Sequence, residues 1–216
     1  MAAQLADQQD DETSEIVLRA ACADGGLDRL LLQLRMRCHP SRTALISYAE
    51  SYLRAPTRAD VLWRLREERE VLLDGAGGDA ADAPFCSSDA LDEAPRQIVL
   101  IGERNPMRAK GKVARTRRRR ASELAGTDYD GALKFLQGLG YATKAPARVV
   151  RGRRYVHRSG ARITLLRVEG TPGYLVEFSL LGDDEASLLE LRESLPVAAH
   201  EGPRNTSQDN LMLLLI

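Results

Sequence analysis

Carboxylates and guanidiniums alternating along β-strands are the arrangement in this chain that comes nearest to a reaction site. Two-residue alternation sends such side chains to one face of a strand, and a closed sheet gathers those faces into a lumen. Glutamates there would hold a divalent cation and arginines or lysines would hold phosphates, so the chemistry would be metal-dependent triphosphate hydrolysis. Glu15 opens one apolar stretch, but Val17 stands where a second carboxylate is needed, and Glu177 has Leu175 and Ser179 as its same-face neighbours. Hard divalent ions take several oxygen ligands. One carboxylate per strand therefore reads as a tunnel with its arginines and without its acids. No GxSxG, Walker, HExxH or GxGxxG unit occurs, and GLGY (Gly138 to Tyr141) reads as a helix stop. Cys38 adjoins His39, but His157, His200, Cys22 and Cys86 lie in unrelated contexts without ligand spacing. The expectation is reduced thiols and no catalytic residue, metal or cofactor.

A second cluster is basic. The stretch KGKVARTRRRRASEL, Lys110 to Leu124, carries Arg115, Arg117, Arg118, Arg119 and Arg120 with two lysines and a single acid, Glu123. It fits an import signal, a nucleic-acid clamp or a strand. With a period of two, Arg115, Arg117 and Arg119 share a face with Val113 and Ala121, while Arg118 and Arg120 share the other with Ala114 and Thr116. Unpaired arginines are too costly for an apolar core, so a strand here must have a solvated or carboxylate-paired face. From Arg104 to Arg167 there are 18 basic and three acidic residues, a balance of +15, against −15 for the remainder. That polarity calls for an acidic partner or for one part folding against the other. Direct nucleic-acid binding is one reading of it. Aromatic residues make up only 5% of the chain, which speaks against stacking platforms for single strands, and no helix-turn-helix, zinc finger or RNP-like aromatic motif is present.

Positioning these residues falls to many short elements. Residues 1–14 are polar and acidic, unlike a secretory signal, and no apolar run approaches the roughly 18–20 residues of a bilayer span. A soluble intracellular protein is the expectation. Residues 15–200 read as one domain. A strand starts at Glu15, and Leu27, Leu30, Leu31 and Leu34 mark a helix that Pro40 ends. RTALISYAESYL reads as a strand. Val61–Leu73 alternates early but carries helix-friendly REERE. The acidic, Gly/Ala-rich segment 74–95 reads as a disordered insertion. RQIVLIG is a strand. Asp128 or Asp130 caps a helix with Leu133, Leu136 and Leu139, stopped at Gly140. Ser159-Gly160 turns a hairpin, GYLVEFSLLG is a strand, and an acidic turn starts a helix with Leu188, Leu191 and Leu195. Residues 201–216 form a tail ending in Leu211, Met212, Leu213, Leu214, Leu215 and Ile216, a candidate docking segment. The sum is a mainly β (α+β) fold: a strongly twisted antiparallel sheet or a barrel, decorated by about three helices.

The order LDRLLLQLRMRC, RQIVLIG, basic strand, LKFLQGLGY, ARITLLRV, YLVEFSLLG and LLELRESLPV resembles the Mediator subunit 18 family, head-module components of the RNA polymerase II coactivator. The likeness is best from Arg96 to Val197, with an echo at Leu27 to Cys38; the acidic insertion, the arginine density and the apolar tail depart from it. The resemblance implies a multistranded antiparallel β-barrel related to the triphosphatase tunnel but lacking catalytic carboxylates. It implies a nuclear, non-catalytic scaffold that regulates RNA polymerase II transcription. The implied partners are the similar barrel of Mediator subunit 20, a helix of Mediator subunit 8 and the polymerase machinery, with no membrane.

Overall fold

Alternation of apolar and charged residues along each strand decides how the sheet curls. The computed structural model describes residues 13–57, 61–73, 89–104, 115–144, 147–168, 172–182 and 184–199. Their order is β1 (Thr13–Cys22), α1 (Leu27–Arg37), β2 (Thr43–Arg54), β3 (Val61–Leu73), α2 (Asp89–Glu93), β4 (Gln97–Arg104) and β5 (Arg115–Glu123). Then follow α3 (Tyr129–Gly138), β6 (Ala142–Thr143), β7 (Arg148–Val156), β8 (Arg162–Val168), β9 (Tyr174–Leu181), α4 (Glu185–Glu193) and β10 (Ala198–Ala199).

Eight of the strands run β1-β5-β4-β3-β2-β7-β8-β9, every neighbouring pair antiparallel, and β9 then meets β1. One strand closes the ring because β1 is long enough to serve two neighbours. Thr13–Val17 pair with β5 on one edge, and Glu15–Cys22 pair with β9 on the other. Short β10 takes up β1's remaining edge at Ala20 and Ala21, and β6 extends β2 at Leu53 and Arg54. The antiparallel barrel expected from the sequence is thus the fold, with four α-helices among the described residues.

The apolar face of the strands is the outer one, and the helices cover it. Ile16, Leu18, Ala20 and Cys22 of β1 join Ile163 and Leu165 of β8 and Val176 and Phe178 of β9. Leu30 and Leu34 of α1, Leu188 and Leu191 of α4, and Leu195 beyond it seal this cluster. Each fully buried leucine contributes roughly 1.5–3 kcal/mol. A second cluster lies under α3, where Ala132 and Leu136 cover Leu53, Leu65 and Ile98.

Local chemistry fixes the helix ends. Asp128 caps α3 by accepting from Gly131 N at 2.7 Å, and Asp184 caps α4 by accepting from Ser187 N at 3.1 Å. At the end of α3, Gly140 N donates to Gln137 O and Tyr141 N to Leu136 O. Gly140 has φ +90, so GLGY is a helix stop of the kind that glycine makes possible. The hairpin at Ser159-Gly160 is also present, with Gly160 N donating to His157 O and φ +86.

Several expectations change. Val61–Leu73 is a strand throughout, since β2 and β4 pair with it from both sides and tertiary pairing outweighs the helix preference of REERE. Thr13 and Ser14, read as the end of the polar lead, already pair with Arg119 and Arg118. Within the segment read as a disordered insertion, Asp89–Glu93 is a helix, and residues 74–88 lie outside the described residues. Leu91 is 7% exposed there, and its backbone carbonyl accepts from Arg69; one leucine and one arginine anchor the turn. Leu139, read as part of the buried face of α3, is 45% exposed because it follows the last helical residue.

Candidate functional site

The faces turned away from the helices enclose a charged lumen. Glu15 and Arg19 come from β1, Tyr48, Glu50 and Tyr52 from β2, and Arg64 and Arg66 from β3. Glu103 comes from β4, Arg154 from β7, Arg162 and Thr164 from β8, and Glu177 and Ser179 from β9. The numbering within each strand advances by even steps, so the same pleat that turns leucines outward turns these charges inward. Ile46, Leu166 and Leu175 give one part of the wall an apolar lining, continuous with Val150 and Val168.

Glu50 is the centre of the site. It is 2% exposed, and its Oε2 accepts from Arg66 at 2.7 and 3.1 Å, with Arg64 at 3.7 Å. Its Oε1 accepts from the Tyr52 hydroxyl at 3.0 Å. Burial by itself would raise the Glu50 pKa, but the Arg66 and Arg64 guanidiniums and these hydrogen bonds outweigh it and hold the carboxyl below its ordinary range. Arg64 also donates to Glu103, in contact through buried atoms. Burial works against the charge on Arg64, yet Glu103 and Glu50 raise its pKa further, so the guanidinium stays charged. Arg66 lies over the Tyr48 ring at 3.9 Å. Burial, reinforced by Glu50, pushes the Tyr48 hydroxyl up to about 12, and burial chiefly drives Tyr52 in the same direction. Farther along the wall, Arg19 donates to Glu177 at 3.2 and 3.3 Å. Arg154 meets Glu70 at 2.7 Å, and both are partly exposed.

The reading of a lumen with arginines and no acids is therefore corrected. Four glutamates face it, one from each of β1, β2, β4 and β9. The count of one per strand was right; the convergence of four strands was the missing step. Glu15 and Glu177 were visible as candidates, whereas Glu50 and Glu103 were missed. The alternation Tyr48-Glu50-Tyr52 and the Arg64-Arg66 pair one strand on were the signals that point to them.

The basic run is placed by its backbone. It forms β5, the strand between β4 and β1, and the side chains of Arg115–Arg120 lie outside the described residues. By register Arg117 is opposite Glu15 and Arg119 opposite Glu103. The segment Leu211–Ile216 also lies outside the described residues.

Chemically, the lumen is a lattice of paired charges. A hard cation would have to displace a guanidinium from Glu50 or Glu103 to gain their oxygens. The open space is about 90 Å³, against roughly 300–1,000 Å³ for small-molecule sites. Cys22 and Cys38 are free and buried on the outer face, and burial raises the Cys38 thiol to about 11, so it is protonated at neutral pH. Among the described residues no helix is long and apolar enough to cross a membrane.

No family model matches the chain, and no curated protein matches its sequence. Solved structures do match in shape. Protein PH1819 of Pyrococcus horikoshii OT3 superposes with a TM-score of 0.62 at 20% identity, covering 92% of this chain and 98% of that one. A chain of the Schizosaccharomyces pombe Mediator head module gives 0.57 at 12% identity, over 86% and 98%. A putative adenylyl cyclase from Hippeastrum, described with a dominant triphosphatase activity, gives 0.51 at 13%, over 89% and 92%. At these identities what is shared is the fold, and on that level the chain is a curled antiparallel barrel of the kind found in these three proteins.

Proposed function

We propose that this chain is a non-catalytic barrel subunit of a Mediator-type coactivator, acting by protein contact in the head of that complex and regulating RNA polymerase II transcription in the nucleus. The observation that carries this reading is the commitment of three of the four lumen acids to arginines of the same barrel: Glu50 to Arg66 and Arg64, Glu103 to Arg64, and Glu177 to Arg19. Carboxylates tied to neighbouring strands brace the wall, and a hard cation must compete with a tethered partner for them. The resemblance carried by FLQGLGY and YLVEFSLL supports the same reading, as does the fold shared with the S. pombe head-module chain. The partners in this reading are the barrel of Mediator subunit 20, a helix of Mediator subunit 8 and the polymerase machinery, and no cofactor is required. The arginines from Arg115 to Arg120 then belong to the barrel wall rather than to an import tag. Affinity purification of the tagged full-length chain tests this: Mediator subunits should co-purify, and recovery without any of them would overturn the reading.

A second reading, a tunnel-type metal-dependent triphosphatase, is favoured by four glutamates and several arginines meeting in one lumen. Metal-dependent release of phosphate from a triphosphate separates it from the first. A third, binding of nucleic acid through the basic region, draws on its balance of +15; duplex or RNA binding that persists near physiological salt would favour it.

A further inference from the structure

Helix α1 has two apolar sides. Leu30 and Leu34 are fully buried against the barrel, while Leu32 and Met36, one turn apart, are 56% and 63% exposed. The outer cluster that Leu30 and Leu34 join also carries half-buried Leu31, Leu189 and Val197 packed against it. A strip of this kind is a surface that wants a cover.

The chain leaves the described structure from the same cluster, shortly after a contact with the end of α1. Val197 packs into the same cluster, and Ala198 and Ala199 pair with Ala21 and Ala20 of β1. Arg37, at the end of α1, donates to Ser194 Oγ at 2.6 Å, so the close of α4 and the close of α1 touch. Eleven residues, 200–210, then precede Leu211–Ile216, and none of the eleven is an aliphatic or aromatic hydrophobe. Fully extended they span roughly 36–40 Å, whereas α1 is only about 16 Å long. The reach is ample, and nothing in the linker competes for the strip. Six consecutive apolar residues are the complement that the strip lacks.

We propose that Leu211–Ile216 docks across the outer face of α1, on Leu32 and Met36. Methionine suits this role because its unbranched thioether adapts to the shape laid on it. Covering the pair completes the cluster that Leu30 and Leu34 seal from the other side of the helix. The docking is independent of the coactivator reading, since it joins two parts of one chain.

The test uses the full chain with Cys86→Ser, leaving Cys22 and Cys38 buried. Two variants carry Leu213→Cys, one with Met36→Cys and the other with Phe135→Cys on α3, which is 54% exposed and belongs to the other cluster. Both partner positions are exposed, so neither change removes core packing. Under mild oxidation at low protein concentration, the Met36→Cys variant should form an intramolecular disulfide about tenfold faster, because docking raises the local concentration of the tail at α1. Equal rates at the two positions, or the same preference for Met36→Cys when Leu211, Leu214 and Leu215 are replaced by serine, would describe an undocked tail and overturn the proposal. Disulfides formed only between chains would assign the strip to a second copy and overturn it as well.

Discussion

The two faces of the same strands solve opposite problems. On the outside, Leu18 and Phe178 meet Leu34 and Leu188 and are driven from water by area alone. On the inside, Glu50, Arg64, Arg66 and Glu103 are nearly as buried, yet each is held by a named partner at hydrogen-bonding distance. An outer leucine tolerates approximate neighbours, whereas an inner carboxylate requires a specific one. The outer face is therefore specified by the period of the sequence, and the inner face by the register between strands.

The largest effects should come from breaking the inner face one partner at a time. Glu50→Ala strands Arg66 and half of Arg64's partners, and a loss of about 3–5 kcal/mol is expected in denaturant unfolding. Replacing both ends, with Glu50→Gln and Arg66→Met, should recover most of that loss, because neither residue then leaves a buried charge. A double substitution as damaging as the sum of the singles would show that the pair is not the unit. On the outer face, Leu188→Ala should cost about 2–5 kcal/mol through its cavity, and no second substitution at a single named residue should rescue it.

Next in size is a site where the faces cannot be separated. A Cβ on Gly152 of β7 would stand 2.2 Å from the Leu165 carbonyl oxygen, so Gly152→Ala should cost about 1–3 kcal/mol by forcing β7 from β8. Calorimetric melting of that variant reads the cost directly. A wild-type melting temperature would mean that the β7–β8 pairing gives way easily there.

Titration distinguishes the faces more gently. Glu50 has a depressed pKa in the folded state, so its contribution is present above the unfolded carboxylate value near 4 and is lost as pH falls through the folded value. Tyr48 has a raised one, so its contribution holds below about 10 and fades as pH rises towards about 12. The midpoint of urea unfolding should therefore drop at both ends of the pH range, and the acid drop should shrink in the Glu50→Gln, Arg66→Met double variant. The smallest effect belongs to the rim. Arg154→Ala removes a half-exposed pair with Glu70 and should change stability by about 0–1 kcal/mol.

How much of this was legible in the sequence follows the same division. The outer face could be read: Leu30 and Leu34, Leu188 and Leu191, the Asp128 cap and the Gly140 stop all follow local patterns. The strand over Arg115–Glu123 is different, since its residues fit three readings and only the family resemblance places a strand there. The lumen could not be assembled, because Glu50 and Glu103 meet Arg64 only once β2, β3 and β4 are in register. A search within single strands sees one acid at a time. Closure was hidden for a similar reason, since nothing in TSEIVLRAAC announces that one strand serves both β5 and β9. Val61–Leu73 is ambiguous in the sequence for the opposite reason, as its REERE carries a local helix preference that pairing overrides.

On the reading proposed above, the lumen charges brace the barrel instead of turning over phosphate. Its most direct test is the release of phosphate from tripolyphosphate by the purified chain with magnesium or manganese at neutral pH. The rate should equal that of buffer with metal alone. Metal-dependent release that rises with the amount of protein and disappears as the barrel melts would contradict it.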